Sequence, residues 1–368
     1  MASGRPARPA RPGRSRRRGA LGAAAALVLL SGCSLVGEGS APESSQGAGE
    51  RVPTRVVMVT HDSWALPKRL LRAFETASGY QLVVRTSGDA GALTNKLVLT
   101  QGAPLGDVAF GVDNTFASRA LDADVFDPAE IELPAGAERL ALPDGADRLV
   151  PVDSGNVCVN IDTGWFAGHD LRPPRTLDDL ADPAYRGLFV APAASTSSPG
   201  MAFLLATIAA YGDAWPDYWT SLMANDTAIT AGWSDAYFVD FTQGGENGDR
   251  PIVVSYDSSP AFTIGKDGRS TTRALLDTCF QQVEYAGVLA GAANPEGARA
   301  VLSFLLSPEV QAALPESMYV FPVREGTALP TEWARFAKRP SAPATLDPAD
   351  IAAHRDEWLT TWTDVTSR

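Results

Sequence analysis

Strand-like and helix-like segments alternate along most of this chain, and that rhythm restricts it to an α/β architecture with a mainly parallel sheet. Residues 56–60 are apolar and β-branched, 67–76 set Leu70, Leu71 and Phe74 at helical spacing, 82–85 read as strand, 93–100 as helix and 107–111 as strand. A second series opens with an extended region over 149–160. It runs on through strand 187–191, helices 200–211 and 215–223, and strands 228–231 and 252–256. Another extended stretch, 279–289, precedes helices over 295–306 and 308–314, so the chain is expected to cross twice between two lobes. Over 348–365, Ile351, Trp358, Trp362 and Val365 share one helical face, the pattern of a helix laid over a core. Two lobes joined by crossing strands leave a cleft between them, a favoured place for a ligand. Hinge closure is the motion expected around it.

The first 32 residues are of a different kind. Arg5, Arg8, Arg11, Arg14, Arg16, Arg17 and Arg18 come without an acid, and 20–30 are apolar. That run is far short of the about 20 apolar residues a spanning helix needs, so it reads as a cleaved export signal. Leu30-Ser31-Gly32-Cys33 resembles a lipobox, in which Cys33 becomes the acylated first residue and the lipid makes the membrane a partner. Ser15-Arg16-Arg17 leaves the general secretory and twin-arginine routes both open. Residues 34–51, rich in Ser, Gly, Ala and Glu, suit a flexible tether. The expected organisation is a signal over 1–32, a tether over 33–51, one lobe from 52–150 plus 286–325, a second from 151–285, and a C-terminal helical segment over 326–368 packed on the lobes. The location that follows is extracytoplasmic, on the outer face of the cytoplasmic membrane.

The formal net charge is −12, and removing a signal that holds seven arginines and no acid takes it to −19. Nucleic acid is thereby excluded as a partner, and a cationic ligand is favoured. Besides Cys33 the chain has Cys158 and Cys279. In an oxidising compartment such a pair forms a disulfide, and closing so long a loop stabilises by roughly 3 to 5 kcal/mol; two buried free thiols are the alternative. His61, His169 and His354 are far apart, and no nucleophile elbow, P-loop or dinucleotide fingerprint stands in its proper context. An enzyme, a metal site and a cofactor are accordingly not expected.

Polar and aromatic clusters fall at the carboxyl ends of the strands, where open α/β sheets place ligands. Thr60-His61-Asp62-Ser63-Trp64 follows the first strand and either caps a helix or touches a ligand. Asp89 in Ser87-Gly88-Asp89-Ala90-Gly91 has the same two readings, and Asp113-Asn114 reads as a cap or turn. Ser195-Thr196-Ser197-Ser198-Pro199-Gly200 joins a strand to a helix with Pro in the first turn, so its N–H groups and hydroxyls either receive an anion or only cap the helix. Gly232-Trp233-Ser234-Asp235-Ala236-Tyr237 and Ser255-Tyr256-Asp257-Ser258-Ser259-Pro260 each set an aromatic beside small polar residues. An aromatic face attracts a cationic ring by about 0.5 to 2 kcal/mol, so together they suit a pocket for an aromatic cation.

These runs occur in the same order in the thiamine-binding proteins of bacterial thiamine ABC importers, which the chain resembles over nearly its whole folded length. His61-Asp62-Ser63-Trp64, Gly111-Val112-Asp113-Asn114, Ser197-Ser198-Pro199-Gly200, the Trp233 and Tyr256 runs, Glu309-Val310-Gln311 and the tail over 347–362 carry the resemblance. It implies a type II periplasmic-binding-protein fold, an interlobe site for thiamine or its phosphates, importer permease subunits as partners, and a monomer. The implied ligand residues are Asp89, Ala90, Ser197, Ser198, Trp233, Tyr256, Asp257, Ser258, Ser259 and Pro260, with His61 and Asp62 beside them. Two departures stand out: His61 and Phe262 replace family tyrosines. Cys158 and Cys279 are outside the pattern. A thiamine-degrading enzyme of the same fold type is the rival, with Cys158 as its nucleophile, although Val157-Cys158-Val159-Asn160 reads as strand interior. A ferric or polyamine receptor would need tyrosine pairs or further cleft carboxylates.

Overall fold

The computed structural model describes residues 54–245 and 247–367. The expected signal, Cys33 and the tether lie outside the described residues. The first lobe begins with β1 (Thr54–Thr60), α1 (Lys68–Ser78), β2 (Tyr80–Thr86), α2 (Ala90–Leu99), β3 (Val108–Asp113), α3 (Ala117–Asp122) and the short β4 (Phe126–Asp127). The long β5 (Val150–Asp162) carries the chain across. The second lobe follows with α4 (Thr163–Gly168), α5 (Leu177–Leu180), β6 (Phe189–Pro192), α6 (Ser198–Tyr211), α7 (Trp215–Ala224), β7 (Ala228–Thr230) and β8 (Ile252–Tyr256). A second long strand, β9 (Thr272–Leu289), returns. It leads to α8 (Pro295–Leu305), α9 (Pro308–Ser317), β10 (Phe321–Pro322), α10 (Thr331–Phe336) and α11 (Pro348–Thr366).

One sheet unites these strands in the order β2-β1-β3-β9-β5-β8-β6-β7, with β4 on β9 and β10 on β5. The sheet is mixed, a correction to the mainly parallel one expected from the sequence. Within each lobe the pairs β1–β2, β1–β3, β6–β7 and β6–β8 are parallel, as βαβ connections require. The outgoing β5 and returning β9 run in opposite senses, so they pair antiparallel with each other and with β8 and β3. Every residue of β5 is buried, consistent with its place in the middle of the sheet.

Local chemistry fixes the helices. Leu70 and Phe74, one turn apart, bury the inner face of α1, which Gly79 ends in the left-handed conformation. Ser197 caps α6, Pro199 occupies its first turn, and all of its residues from Ser198 to Ile208 are buried. Such an all-round apolar helix must be covered on both sides. The sheet covers one; α7 and α11 supply cover on the other, with Trp362 of α11 edge-on to Trp219 of α7 at 5.6 Å. On α11, Ile351, Trp362 and Val365 are buried, while Trp358 is only half-buried. The same helix reaches the first lobe, where buried Arg355 lies over Phe116 at 5.4 Å. Among the described residues no helix is long and apolar enough to cross a membrane.

Cys158 and Cys279 form a disulfide between β5 and β9. It sits in a register break: Val157 pairs with Phe280 but Val159 with Leu275, so β9 bulges outward between them. Thr278 satisfies the bulge, its hydroxyl accepting from Val159 N at 2.9 Å and donating to the Leu275 carbonyl at 2.7 Å.

Candidate ligand-binding site

A cavity of about 250 Å³ opens at the carboxyl ends of β1, β2, β6, β7 and β8. It lies just below the roughly 300–1,000 Å³ usual for small-molecule pockets. His61, Asp62, Ser63, Asp89 and Ala90 form the first-lobe wall, and Ser198, Trp233, Tyr256, Ser258 and Ser259 part of the opposite one. Thus the structure brings most of the residues singled out in the sequence to one place. Ser197, Asp257 and Pro260 do not face it.

Asp89 holds the two walls together. As N-cap of α2 its Oδ1 accepts from Ala90 N at 2.6 Å, and the same oxygen accepts from Ser198 N at 3.1 Å, at the start of α6 in the other lobe. Its Oδ2 accepts from Trp233 N at 2.8 Å. The anion expected at the amino end of α6 is therefore the protein's own carboxylate, which makes this end a lobe-to-lobe contact. Burial pushes the Asp89 carboxyl above the ordinary carboxylate range, against the opposing pull of these N–H donors. Two further bonds cross the gap, Ala92 N to the Thr196 carbonyl at 2.9 Å and Asn95 Nδ2 to the Ser195 carbonyl at 3.3 Å. Gly91 permits the approach, since a Cβ there would lie 2.7 Å from the Thr196 backbone. The Ser198 hydroxyl is also committed, donating to Asp113 Oδ2 while Gln282 Nε2 donates to it.

Aromatic rings make up much of the second-lobe wall. Trp233 stacks on Tyr237 with centroids 5.0 Å apart, and its Nε1 donates to Ser255 Oγ at 2.9 Å, which fixes the indole. Tyr256 stands edge-on to Trp233 at 6.1 Å. A π-helical turn over Asp235–Asp240, a form frequent at functional sites, delivers Tyr237 and Phe238 to the wall. At the mouth, Phe262 is 46% exposed and packs edge-on to Tyr319 at 4.9 Å. Tyr319, with its backbone in the left-handed region, accepts the Ser258 hydroxyl on its carbonyl.

The residues behind the wall brace it. Asp257 is fully buried, accepting from Asn156 N at 3.2 Å on Oδ1 and from Asn156 Nδ2 at 2.7 Å on Oδ2. Burial raises its carboxyl to about 6 despite those bonds. Ser259 Oγ lies 2.7 Å from Ser255 Oγ and accepts from Tyr256 N at 3.0 Å, which holds the 256–260 loop in a tight turn. Cys158, bonded to Cys279 and fully buried, does not line the cavity.

The floor holds the residue that sequence reasoning missed. Glu284 of β9 lines the cavity, and its Oε1 lies 3.3 Å from His61 Nε2. Gly111, at φ 101°, makes space for that imidazole, because a Cβ there would lie 2.2 Å from His61 Cδ2. A charged residue within the continuously buried stretch 282–289 of β9 was the available signal. Met318 and Tyr319, which follow α9, were also missed; nothing in their local sequence marks them. Among the described residues, no Lys or Arg lines this cavity.

A mixed sheet shared by two lobes, with a ligand-sized cavity between strand ends, defines a type II periplasmic-binding-protein-like molecule. The chain belongs to the bacterial extracellular solute-binding protein family, whose profile matches residues 69–343. It is similar to the thiamine-binding periplasmic protein of Salmonella typhimurium, at 28% identity over 331 residues covering 85% of this chain and 94% of that protein. The protein of the same name from Escherichia coli is 29% identical over 326 residues, with 85% and 94% covered. A solved periplasmic thiamin binding protein superposes with a TM-score of 0.76 at 28% identity, covering 87% of this chain and 98% of that one.

Proposed function

We propose that the protein is the receptor of an ABC importer, which captures thiamine in this cavity, closes on it and presents it to permease subunits. The observation that carries the reading is the composition of the cavity: stacked and edge-on aromatics beside Asp89 and Glu284, without a Lys or Arg among the described residues that line it. Rings of that kind suit a flat cation, and the carboxylates add charge complementarity. Thiamine is favoured over its phosphates, because Ser198 N–H is already turned to Asp89 and a phosphate there would meet a carboxylate. Trp233 and Tyr256 stack on the rings, while Asp89, Ala90, His61 and Asp62 face them from the first lobe. Ser197, Asp257 and Pro260 serve by bracing the wall. Thiol chemistry on thiamine has no support, since Cys158 is spent in the disulfide and stands off the cavity.

Relatives named for thiamine support the ligand, and the lipobox supports a receptor acylated at Cys33, tethered through 34–51 to the outer face of the cytoplasmic membrane. Tethering raises the receptor's effective concentration at its transporter. Isothermal titration against thiamine, thiamine phosphates and the free hydroxymethylpyrimidine tests the ligand; no heat with thiamine at high concentration would refute it. Replacing Cys33 by Ala should release the protein from the membrane fraction.

A further inference from the structure

Three acids stand in one row across the middle of the sheet. Glu284 of β9 pairs with Asp113 of β3 on one side and with Asp153 of β5 on the other. Like charges placed opposite each other across strands are destabilising, and all three residues are buried. Asp113 is settled locally: Oδ1 accepts from Thr115 N, Thr115 Oγ1 and Phe116 N at 2.9, 2.8 and 3.1 Å, and Oδ2 from Gln282 Nε2 at 3.2 Å and the Ser198 hydroxyl.

Asp153 has no such help. Both of its oxygens are buried without an N–H or hydroxyl donor. Burial, and then the charge of Glu284, push its carboxyl well above the ordinary carboxylate range, which favours a proton held between the two acids. His61 Nε2, also buried, lies 3.3 Å from Glu284 Oε1 but off the line of a hydrogen bond. The other titratable groups facing the trio are Asp113, Tyr256 and Asp89, none of them a cation; the fields of Glu284 and Asp89 add to burial in raising the Tyr256 phenol. Arg339 is engaged elsewhere, donating to Ser154 Oγ at 3.3 Å with its guanidinium 3.9 Å from the Phe321 ring centre. The trio is thus a buried acid pair and an imidazole with an unfilled bond, two of the three opening on the cavity, where no Lys or Arg among the described residues joins them. Among the described residues no cluster of His, Cys, Asp and Glu is arranged to hold a metal.

We propose that Glu284, flanked by Asp153 and His61, is the counter-ion that selects a singly charged organic cation, and that ligand entry expels the proton of Asp153 to solvent. One positive charge enters as one leaves, so the charge buried at the floor is unchanged. The inference rests on the reading of the cavity as a thiamine site. A cation beside the pair favours ionised Asp153, so affinity must rise as pH rises towards the elevated Asp153 value and level off above it.

Thiamine titrations in buffers of differing ionisation enthalpy, from mildly acidic to mildly alkaline pH, measure the protons released. Wild-type protein should release up to one proton per ligand. Asp153→Asn should abolish that release and flatten the pH dependence of affinity. Glu284→Gln should weaken thiamine about tenfold or more while changing affinity for the uncharged hydroxymethylpyrimidine much less. Thiamine binding without proton release, or equal affinity in Glu284→Gln, overturns the inference and leaves the thiamine reading standing. No thiamine binding to wild-type protein overturns both.

Discussion

Asp89→Asn tests whether a carboxylate of the first lobe helps to hold the closed arrangement. The change is nearly isosteric, so it isolates charge and hydrogen-bond direction. If the amide oxygen takes the place of Oδ1 it keeps Ala90 N and Ser198 N, but the amide nitrogen then faces Trp233 N across the 2.8 Å now spanned by Oδ2. The opposite rotamer sets the nitrogen against the other two donors. Either way at least one lobe-to-lobe bond is replaced by a donor facing a donor. A hydrogen bond to a charged group contributes about 1.5–3 kcal/mol. Neutralisation recovers part of this, because burial already disfavours the ionised form, leaving a net weakening of about 1–2 kcal/mol. Where capture requires closure, that loss appears as a roughly 5–30-fold weaker affinity. Calorimetry with thiamine and small-angle scattering with and without it read the two consequences. Affinity within about twofold of wild type, together with an unchanged scattering profile, would refute the assignment of Asp89 as a lobe-to-lobe contact.

Trp233→Ala removes the fixed indole from the cavity wall and should weaken thiamine by about 1–2 kcal/mol, or roughly tenfold; Trp233→Phe should recover part of it by the same titration. Replacing Cys158 and Cys279 together by Ser should lower unfolding free energy by about 3–5 kcal/mol in urea melts, given the 121-residue separation that the bond closes. The Asp257 carboxyl, raised to about 6 from 3.8, stabilises the fold fully below its unfolded value and loses that contribution as pH rises through its folded value. The difference amounts to about 3 kcal/mol, so urea melts should show a falling stability term between about pH 4 and about pH 7 that Asp257→Asn removes.

Most of the elements were legible because their local signals agree with their place in the fold. The spacing of Leu70 and Phe74, the Ser197-Pro199 start of α6 and the β-branched run of β1 each specify an element without help from elsewhere. The mixed pairing was not legible, since strand direction is set by which lobe a segment returns to. For the same reason the partner of the α6 amino end was missed. Free N–H groups at a helix start say that an acceptor comes; only the tertiary fold says that Asp89 brings it from the other lobe. Trp233 and Tyr256 announced themselves by their small polar neighbours, whereas Glu284 acquires its meaning from strands paired with it across the sheet.

That dependence on pairing makes register a determinant of ligand choice. Side chains alternate along a strand, so a slip of one residue between β5 and β9 would turn Glu284 from the cavity face to the opposite one. Two features oppose a slip. The ladder from Val150–Ala286 to Val157–Phe280 continues past the bulge as Val159–Leu275 to Asp162–Thr272, and Cys158–Cys279 pins the bulge between those stretches. A bulge fixes register on both sides of itself only while its extra residues stay put, which Thr278 and the disulfide ensure. The covalent link that stabilises the crossing strands therefore also helps to hold the row of acids in place.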